Sequence, residues 1–247
     1  MFDTQGIGES FGRASKEYDA HAELQREVRA QCIVLGKNYW PDGSRILDVG
    51  CGTGGLSREA RAWRITGLDL SYGMCARAKA VNADAGAMPF ADASFGGVFS
   101  SLMLQWMNRP DAAFAEMSRV LKPKGCAVIS TFAEGTLAEL ADAFRAVDDA
   151  PHVSEFAAPH RLLEVARGAG FNLVMARQVK AVEYYPDAVA LMRRLQNIGA
   201  TNQHTHRRKG LMTSRQFARL EHAYAQRATP RGLPATWQIL YLALQNP

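Results

Sequence analysis

Two absences narrow the class of this protein before any motif is considered. The sequence has no run of about 18 apolar residues, the length a membrane-spanning helix needs, and its first residues lack the apolar segment of a signal peptide. It has only four cysteines, and no two of them form a C-x-x-C pair. We therefore expect a reduced, cytoplasmic protein with no disulfide or zinc framework and no membrane partner.

An excess of one charge is also small. The 247 residues include 29 Lys and Arg against 24 Asp and Glu, which gives a formal net charge of +5. This excess favours an acidic partner, but composition alone does not distinguish a nucleic acid, a membrane surface and an acidic protein. The length is sufficient for one large domain, and a hydrophobic content of 47% is ordinary for a globular fold.

What the chain does contain is an alternation of short strands and helices. Strands are predicted near residues 45–49, 65–69, 82–84, 97–101, 126–132, 171–185 and 237–244. Predicted helices after Gly55, at 71–78 and at 111–121 lie between the early strands, and this order is typical of a parallel, doubly wound sheet. The predicted fold class is therefore α/β and Rossmann-like, with a mostly parallel seven-stranded sheet.

The regions on either side of this alternation are predicted to be mainly helical. We expect one amphipathic helix over Phe11–Leu35, and further helices near 135–149, 159–168 and 186–198, with a capping box at Thr213-x-x-Gln216. Helices that do not fit the alternation are expected to form a lid. The predicted organisation is a single domain with a helical cap at 1–40, a ligand-binding core at 41–133, and lid helices with the last strands at 134–247.

A glycine-rich loop follows the first predicted strand. In Asp48-Val49-Gly50-Cys51-Gly52-Thr53-Gly54-Gly55 the backbone must turn tightly and lie against a ligand that a Cβ atom would strike. The spacing G-x-G-x-x-G also fits a dinucleotide site, so the loop alone does not distinguish S-adenosylmethionine (SAM) from NAD. Three features favour SAM. Asp48 is placed to hold a methionine amino group, Asp84 ends the third predicted strand where it could read adenine, and the chain is short for a dinucleotide enzyme.

Around this loop the sequence resembles the class I SAM methyltransferases. Asp48–Gly54 is similar to their first motif, and Phe90-x-x-x-Ser94-Phe95 and Arg119–Gly125 are similar to the segments at their fourth and fifth strands. The resemblance covers residues 45–132 and implies SAM as cofactor, with S-adenosylhomocysteine as product. The cofactor-binding residues it implies, with Asp69 on the ribose, are Asp48, Gly50, Cys51, Gly52, Gly54, Asp69, Leu70, Met74, Asp84 and Ala85. The short intervals between these motifs predict that the first two helices of the core are short.

A narrower resemblance extends over almost the whole chain. Ser10–Ala14 with Tyr18, Leu104–Trp106, Gln196–Ala200 and Leu233–Trp237 are similar to segments of the malonyl-acyl carrier protein O-methyltransferases of biotin synthesis, the BioC family. The resemblance implies methylation of the free carboxyl of malonyl-acyl carrier protein, which masks a charge so that fatty-acid enzymes can extend the chain. A carboxylate is already ionised at neutral pH, so this reaction needs no general base.

Several residues are candidates for contact with the acceptor. Tyr18 either packs in the core or caps the ligand, and Gln105 and Trp106 follow a strand end, where ligands of open α/β sheets bind. A planar arginine fork is the usual device for holding a carboxylate. The candidates are Arg13, Arg194, Arg207 and Arg208, and Arg207 joins Tyr18, Gln105 and Trp106 in the predicted catalytic set. The basic residues between 193 and 215 are either a solvated face or a docking site for an acidic carrier protein.

Other functions fit parts of the sequence. The acceptor could be a quinone or another small acid. A SAM-fold assembly factor without transfer activity would be expected to have a damaged glycine loop or no Asp69, and both are intact. A nucleic-acid methyltransferase would want an Asn/Asp-Pro-Pro-Tyr-like strand end, whereas Leu-Met-Leu-Gln-Trp follows Ser101 here. Because that strand end is missing, no nucleic-acid partner is expected. The histidines lack metal-ligand spacing, so no metal is expected either.

Overall fold

Residues 1–200 and 212–247, which the computed structural model describes, form a seven-stranded sheet flanked by helices. The strands are β1 (Arg45–Val49), β2 (Arg64–Asp69), β3 (Val81–Asn82), β4 (Phe95–Ser101), β5 (Leu121–Phe132), β6 (Asn172–Tyr185) and β7 (Leu233–Gln245). Their order is β3-β2-β1-β4-β5-β7-β6. The first five strands in this order run parallel, and β7 is antiparallel to both β5 and β6. The prediction of a mostly parallel, seven-stranded Rossmann-like sheet is confirmed.

The helices lie before, between and after these strands. Their bounds are α1 (Thr4–Ala14), α2 (Tyr18–His21), α3 (Glu23–Gly36), α4 (Gly55–Glu59), α5 (Tyr72–Ala78), α6 (Pro110–Val120), α7 (Ala138–Arg145), α8 (Pro159–Gly168), α9 (Ala188–Asn197) and α10 (Ser214–Ala225). A 3₁₀ turn occupies Leu104–Trp106. The two short helices expected in the core are confirmed, since α4 has five residues and α5 has seven.

The core explains why β1 is an almost continuous apolar run. Ile46 and Leu47 are both fully buried, although successive side chains of a strand point to opposite faces. Ile46 packs in a cluster with Cys32 of α3, and Leu47 packs in another with Phe114 of α6. Helices therefore cover both faces of the sheet, as a parallel sheet requires, and β1 is buried from Ile46 to Val49. The glycine loop follows the carboxyl end of β1, and ligands of this architecture bind at the carboxyl edge of the sheet.

The prediction of one helix over Phe11–Leu35 is wrong. The chain forms three helices there, with breaks after Ala14 and at Ala22. The Ser15 hydroxyl donates to the Gly12 carbonyl (2.8 Å) and ends α1. Asp19 then accepts a hydrogen bond from the Thr53 hydroxyl (2.6 Å), a residue far away in sequence. These contacts fold the N-terminal segment across the carboxyl edge of the sheet instead of extending it as a rod.

Two smaller predictions need correction. The strand expected at 82–84 ends at Asn82, and Asp84 instead forms a turn in which its carboxylate accepts from the Gly86 backbone N–H (2.7 Å). The helix expected at 135–149 covers only Ala138–Arg145. It begins late because Gly135 and Leu137 adopt left-handed φ values of 89° and 54°. The capping box of α10 is confirmed: the Thr213 side chain accepts from the Gln216 N–H, and the Gln216 side chain accepts from the Thr213 N–H.

The lengths of the helices bear on the membrane question. Within residues 1–200 and 212–247, no helix is both long enough and apolar enough to cross a bilayer.

Candidate active site

The glycine loop between β1 and α4 leaves its backbone open on one side. Gly50 and Gly52 have φ values of 76° and 55°, in the left-handed region that side chains disfavour. A Cβ atom on Gly50 would collide with the Met103 side chain, whereas one on Gly52 would have no heavy atom within 4 Å. Gly50 is therefore required for close packing, and Gly52 presents bare backbone to an open cavity.

Asp69, at the end of β2, fixes this loop. One carboxylate oxygen accepts from the Gly52 N–H (2.9 Å), and the other accepts from the Ser71 N–H (2.8 Å). Burial raises the pKa of Asp69, and these backbone hydrogen bonds oppose the rise. Each carboxylate oxygen keeps a lone pair for a further donor. Asp69 can thus hold the loop and still accept hydroxyl groups of a ligand such as a ribose.

Two cavities meet at the loop. A large cavity of about 380 Å³ extends from the loop along β2 and the start of α1, and a small cavity of about 40 Å³ extends towards α3. Both are lined by Tyr18, Gly50, Gly52 and Ser101. The predicted cofactor residues that line one or both are Asp48, Gly50, Cys51, Gly52, Asp69, Leu70, Met74, Asp84 and Ala85. Gly54 lines neither, and a Cβ atom there would lie 3.1 Å from the Ala78 Cβ, so it allows α4 to pack on the end of α5.

The small cavity is lined by a carboxyl group, that of Asp48, and by a guanidinium group, that of Arg29. Asp48 is only 3% exposed, and burial raises its pKa to about 7, against the opposing effect of the nearby Arg29 guanidinium. Arg29 donates from Nε to a carboxylate oxygen of Glu59 (2.9 Å), and its guanidinium lies against Gly55 at the start of α4. A zwitterion fits this arrangement, with its ammonium on Asp48 and its carboxylate on Arg29.

A buried acceptor without a partner supports the same fit. The Gln25 Oε1 atom is buried and has no hydrogen-bond partner, and Gln25 lines the small cavity beside Asp48 and Arg29. An ammonium group there would satisfy both oxygen acceptors, which otherwise cost free energy when buried. The methionine end of SAM carries this ammonium and a carboxylate.

Sequence reasoning missed Gln25 and Arg29. Both are on α3, about a turn apart, and they reach the loop only because α3 packs beside α4. Their i, i+4 spacing next to the buried stripe of Leu24, Val28 and Cys32 is the one available signal, because it places two polar groups on a single helix edge.

The large cavity is apolar where an adenine would lie. Met74 is 1% exposed and Ala85 is 7% exposed, while Leu70, at 39% exposed, lies at the rim. Asp84 contributes a carboxylate whose Oδ1 atom already accepts from Gly86. An apolar slot with few polar groups is the usual form of a site for a flat aromatic ring.

Tyr18 lies where the two cavities join. Burial raises the pKa of the Tyr18 hydroxyl to about 12, against the effect of Arg29, so the hydroxyl stays a hydrogen-bond donor at neutral pH. Trp106 lines the large cavity, and its ring meets the Phe11 ring edge-on with 5.4 Å between centroids. Gln105 is turned elsewhere: its amide donates to the Leu102 carbonyl (2.7 Å) and accepts from the Thr131 hydroxyl (3.0 Å).

The four arginine candidates are placed very differently. Arg13 is exposed and lies 3.8 Å from Glu9. Arg194 is largely buried, with its charge balanced by Glu183 at 3.0 Å, and it also donates to the Tyr185 hydroxyl (3.2 Å). Arg207 and Arg208 lie outside the described residues. Arg109 lines the large cavity at its far end and is paired with Asp111.

A metal site would require a group of ligating side chains close together. Across residues 1–200 and 212–247, no group of three or more His, Cys, Asp or Glu side chains is arranged to hold a metal ion.

Comparison with known proteins identifies the class. Residues 47–129, which contain the glycine loop and Asp69, match the family described as "Methyltransferase domain". The fold agrees with this match. The geranyl diphosphate C-methyltransferase of Streptomyces coelicolor A3(2), solved with S-adenosyl-L-homocysteine, superposes with a TM-score of 0.55 at 16% identity, over 92% of this chain and 82% of that one. The YcgJ protein of Bacillus subtilis superposes with a TM-score of 0.58 at 15% identity, over 87% and 97%. The protein is a SAM-dependent methyltransferase.

Its family follows from relatives that match most of the chain. It is 38% identical to the malonyl-[acyl-carrier protein] O-methyltransferase of Serratia marcescens, over 89% of this chain and 88% of the relative. It is 37% identical to the biotin biosynthesis bifunctional protein BioHC of Teredinibacter turnerae, over 98% of this chain but only 46% of the relative, so it spans about half the length of that protein. The chain belongs to the malonyl-[acyl-carrier protein] O-methyltransferase family.

Proposed function

We propose that this enzyme transfers the methyl group of SAM to the free carboxyl of a malonyl group on an acyl carrier protein, in biotin synthesis. The observation that carries the proposal is the extent of the similarity. The relatives from Serratia marcescens and Yersinia pestis named for this reaction match 89% and 97% of the chain, far beyond the general domain at 47–129. The similarity therefore extends well beyond the cofactor-binding core.

The site suits a reaction that needs no proton transfer. SAM, when bound, supplies a methyl group on a positively charged sulfur, and the acceptor oxygen displaces that sulfur, which keeps the electron pair of the broken bond. The lining of the large cavity includes no His, Cys, Lys or Glu among the described residues, and its two carboxylates, Asp69 and Asp84, already accept backbone hydrogen bonds and are assigned here to the cofactor. A carboxylate acceptor is ionised at neutral pH and needs no such base. A quinone hydroxyl or ring carbon has to lose a proton.

The contribution of the protein is then alignment. Asp48, Gln25 and Arg29 would hold the methionine end, and Asp69 the ribose, while Tyr18 borders both cavities. Holding two reactants in a productive geometry is worth on the order of 7–11 kcal/mol of activation free energy. The half-buried N-terminal segment, together with the rest of the cavity wall, would exclude water during the reaction.

The test is direct. The purified enzyme is incubated with methyl-labelled SAM and malonyl-acyl carrier protein, and the carrier is analysed by mass spectrometry. We expect a methyl ester on the malonyl group and none on acetyl-acyl carrier protein, which has no free carboxyl.

Free malonate, aconitate and a hydroxyquinone are tested in parallel. Methylation of one of these without methylation of the carrier-bound malonyl group would contradict the proposed acceptor. SAM binding with no transfer to any of them would instead favour an assembly factor.

A further inference from the structure

A third cavity lies on the other side of Trp106. It has a volume of about 220 Å³, and we call it the aromatic cavity because five aromatic side chains contribute to its wall: Trp106, Phe132, Phe144, Phe156 and Trp237. The Phe132 ring lies 5.0 Å from the Trp237 ring and 5.8 Å from the Phe156 ring, between centroids. Trp106 is the one described residue that lines both this cavity and the large one.

The position of the aromatic cavity in the sequence separates it from cofactor binding. The match to the general methyltransferase domain ends at residue 129. Apart from Trp106, every described residue that lines the aromatic cavity lies beyond that point. These residues are at the end of β5, on or next to α7, in the segment 152–156, on or just after α9, or on β7. The relatives that match the chain over nearly its full length also include this region. A site outside the shared domain and next to the cofactor is where an acceptor would be recognised.

The chemistry of the wall restricts the ligand. The described lining includes no Lys, Arg, Asp or Glu, and its polar members are His152, Ser154 and Gln196. A charge placed there would lose its hydration without a counter-charge, which is strongly unfavourable. An uncharged, flexible chain with apolar segments and one or two hydrogen-bonding groups fits such a wall.

His152 is a polar group of this wall that two contacts hold in place. Its Nε2 atom lies 2.7 Å from an Asp148 carboxylate oxygen, and its ring stacks on Phe144 with 4.1 Å between centroids and 6° between planes. When Nε2 donates to Asp148, the Nδ1 atom of a neutral ring is an acceptor. An acceptor in this position suits an amide N–H of the ligand.

We propose that the aromatic cavity binds the uncharged thioester arm that joins the malonyl group to its carrier protein, with His152 as a hydrogen-bonding anchor and Trp106 as the boundary past which the free carboxyl reaches SAM. The inference rests on the proposed function and deepens it. The arm is amide-containing and uncharged along most of its length, whereas the reacting end is an anion that the aromatic wall would not accept. The carboxyl therefore lies on the cofactor side of Trp106, and the arm lies on the other.

The test fills the cavity from one wall. Met192 is a half-buried residue of α9 that lines the aromatic cavity, so Met192→Trp places a larger ring inside it. Val34→Trp is the matched control, since Val34 is 60% exposed on α3 and lines none of the three cavities. The substrates are malonyl-acyl carrier protein and malonyl-pantetheine, and the affinity for S-adenosylhomocysteine is measured separately by calorimetry.

For Met192→Trp we expect the KM of both substrates to rise by at least about tenfold, because overpacking removes the space for the arm. The affinity for S-adenosylhomocysteine and the kinetics of Val34→Trp should match those of the wild type. A second variant, His152→Phe, keeps the stacking on Phe144 but cannot hydrogen-bond. It should raise KM by up to about tenfold with little change in kcat, since a net hydrogen bond contributes about 1 kcal/mol.

The outcomes separate the two proposals. If the wild type makes no ester on malonyl-acyl carrier protein, the proposed function fails and this inference fails with it. If the wild type makes the ester and Met192→Trp and His152→Phe have unchanged KM values, only the assignment of the cavity is overturned. Loss of S-adenosylhomocysteine binding in folded Met192→Trp would also overturn it, because the cavity would then not be separate from the cofactor site.

Discussion

The large cavity and the aromatic cavity share Trp106 but differ in the groups that line them. The large cavity depends on backbone atoms of the glycine loop and on the carboxylate of Asp69, which lie within about two strand–helix units of each other. The aromatic cavity is assembled from side chains between Phe132 and Trp237 that are distant in sequence. The comparison teaches that the glycine loop and Asp69 are positioned mainly by neighbouring strands and loops, whereas the aromatic cavity is a product of tertiary packing.

The element that touches both regions offers the most severe test. Phe11 of α1 lines the large cavity and contacts Trp106, and the Ser10 hydroxyl donates to the Gly199 carbonyl (3.1 Å) at the end of α9. Deletion of residues 1–14 should abolish methyl transfer while leaving a folded sheet. Circular dichroism and thermal unfolding would verify the fold, and the transfer assay would measure activity. Full activity in the truncated protein would mean that α1 only packs against the core.

The backbone character of the cofactor site is tested at Gly52. Gly52→Val should reduce SAM affinity by more than about 100-fold, because the new side chain fills space beside the backbone against which we propose that the cofactor binds. Gly43→Val is a matched control: Gly43 also has a left-handed φ (82°) and open space where a Cβ atom would lie, but it lines none of these cavities. Calorimetry on both folded variants would measure their affinity for SAM. Equal loss in the two would point to backbone strain instead of cofactor contact.

The carboxylate of the cofactor site should contribute less than the backbone does. Asp69→Ala would leave ribose hydroxyls and the Gly52 N–H without an acceptor, at a cost of about 1–3 kcal/mol in SAM binding. Asp92→Ala removes a carboxylate that is 79% exposed and paired with Arg119, and it should not change SAM affinity. Unchanged binding in a folded Asp69→Ala protein would exclude the ribose role.

A pH dependence should distinguish the small cavity from the other two. The pKa of Asp48 in the ligand-free protein is about 7, above its ordinary value of 3.8, so the folded state favours the protonated carboxyl. The stability that this group contributes is present in full below pH 3.8 and is lost as the pH rises through about 7. A bound ammonium favours the ionised form, so SAM binding should release a proton and tighten by up to about 50-fold between about pH 5 and pH 7, as the ionised fraction of Asp48 rises from about 1% to about half.

Calorimetry in buffers of different ionisation enthalpy would measure this proton release. Asp69 also has a raised pKa, so the comparison with Asp48→Asn is needed to isolate Asp48. The variant should lose most of the proton release. The same release in wild type and Asp48→Asn would contradict the role assigned to Asp48.

The smallest effect is expected at the basic segment that includes Arg207, Arg208 and Lys209. These residues lie outside the described part of the chain, and their role in carrier docking stays a prediction from the sequence. Changing all three to Glu should raise the KM for malonyl-acyl carrier protein a few-fold at low ionic strength and leave SAM affinity unchanged, since exposed ion pairs contribute only about 0–1 kcal/mol each.

Malonyl-pantetheine lacks the protein surface and should be unaffected by that charge reversal. A decrease in its turnover would indicate that one of these arginines also holds the carboxylate. The charge-matched control is the triple change of Lys37, Lys122 and Lys124 to Glu, all exposed residues. Equal effects of the two triple variants would show that only net charge matters.

The same contrast explains what could be read from the sequence. The bounds of β1 are those that its apolar pattern predicted, and the glycine loop follows it directly, because both depend on neighbouring residues. The path of the chain after Ala14 could not be predicted, since α2 is held by the contact between Asp19 and the distant Thr53. Arg29 was missed for a similar reason: an exposed-looking arginine on an amphipathic helix becomes a site residue only when α3 meets α4.

No sequence pattern predicted the aromatic cavity, although Trp106 was a candidate contact of the acceptor and Trp237 lies in a segment that resembles the family. Phe132, Phe144 and Trp237 have the spacing of ordinary core residues, and each is indeed less than a tenth exposed. Only the arrangement of β5, α7 and β7 shows that they surround a space. The basic face and the lid were predicted from composition and periodicity, which indicate surface character but not what the surface touches.

The position of β6 at the end of the sheet has a consequence for how the protein behaves at high concentration. An outermost strand of 14 residues offers a row of backbone groups to which another chain could add. In this strand a bulge between Leu173 and Met175 interrupts the regular ladder, and Arg177 and Lys180 are exposed along it. Exposed charges and a bulge on an edge strand oppose edge-to-edge pairing between copies of the protein. We therefore expect that this long strand does not promote aggregation.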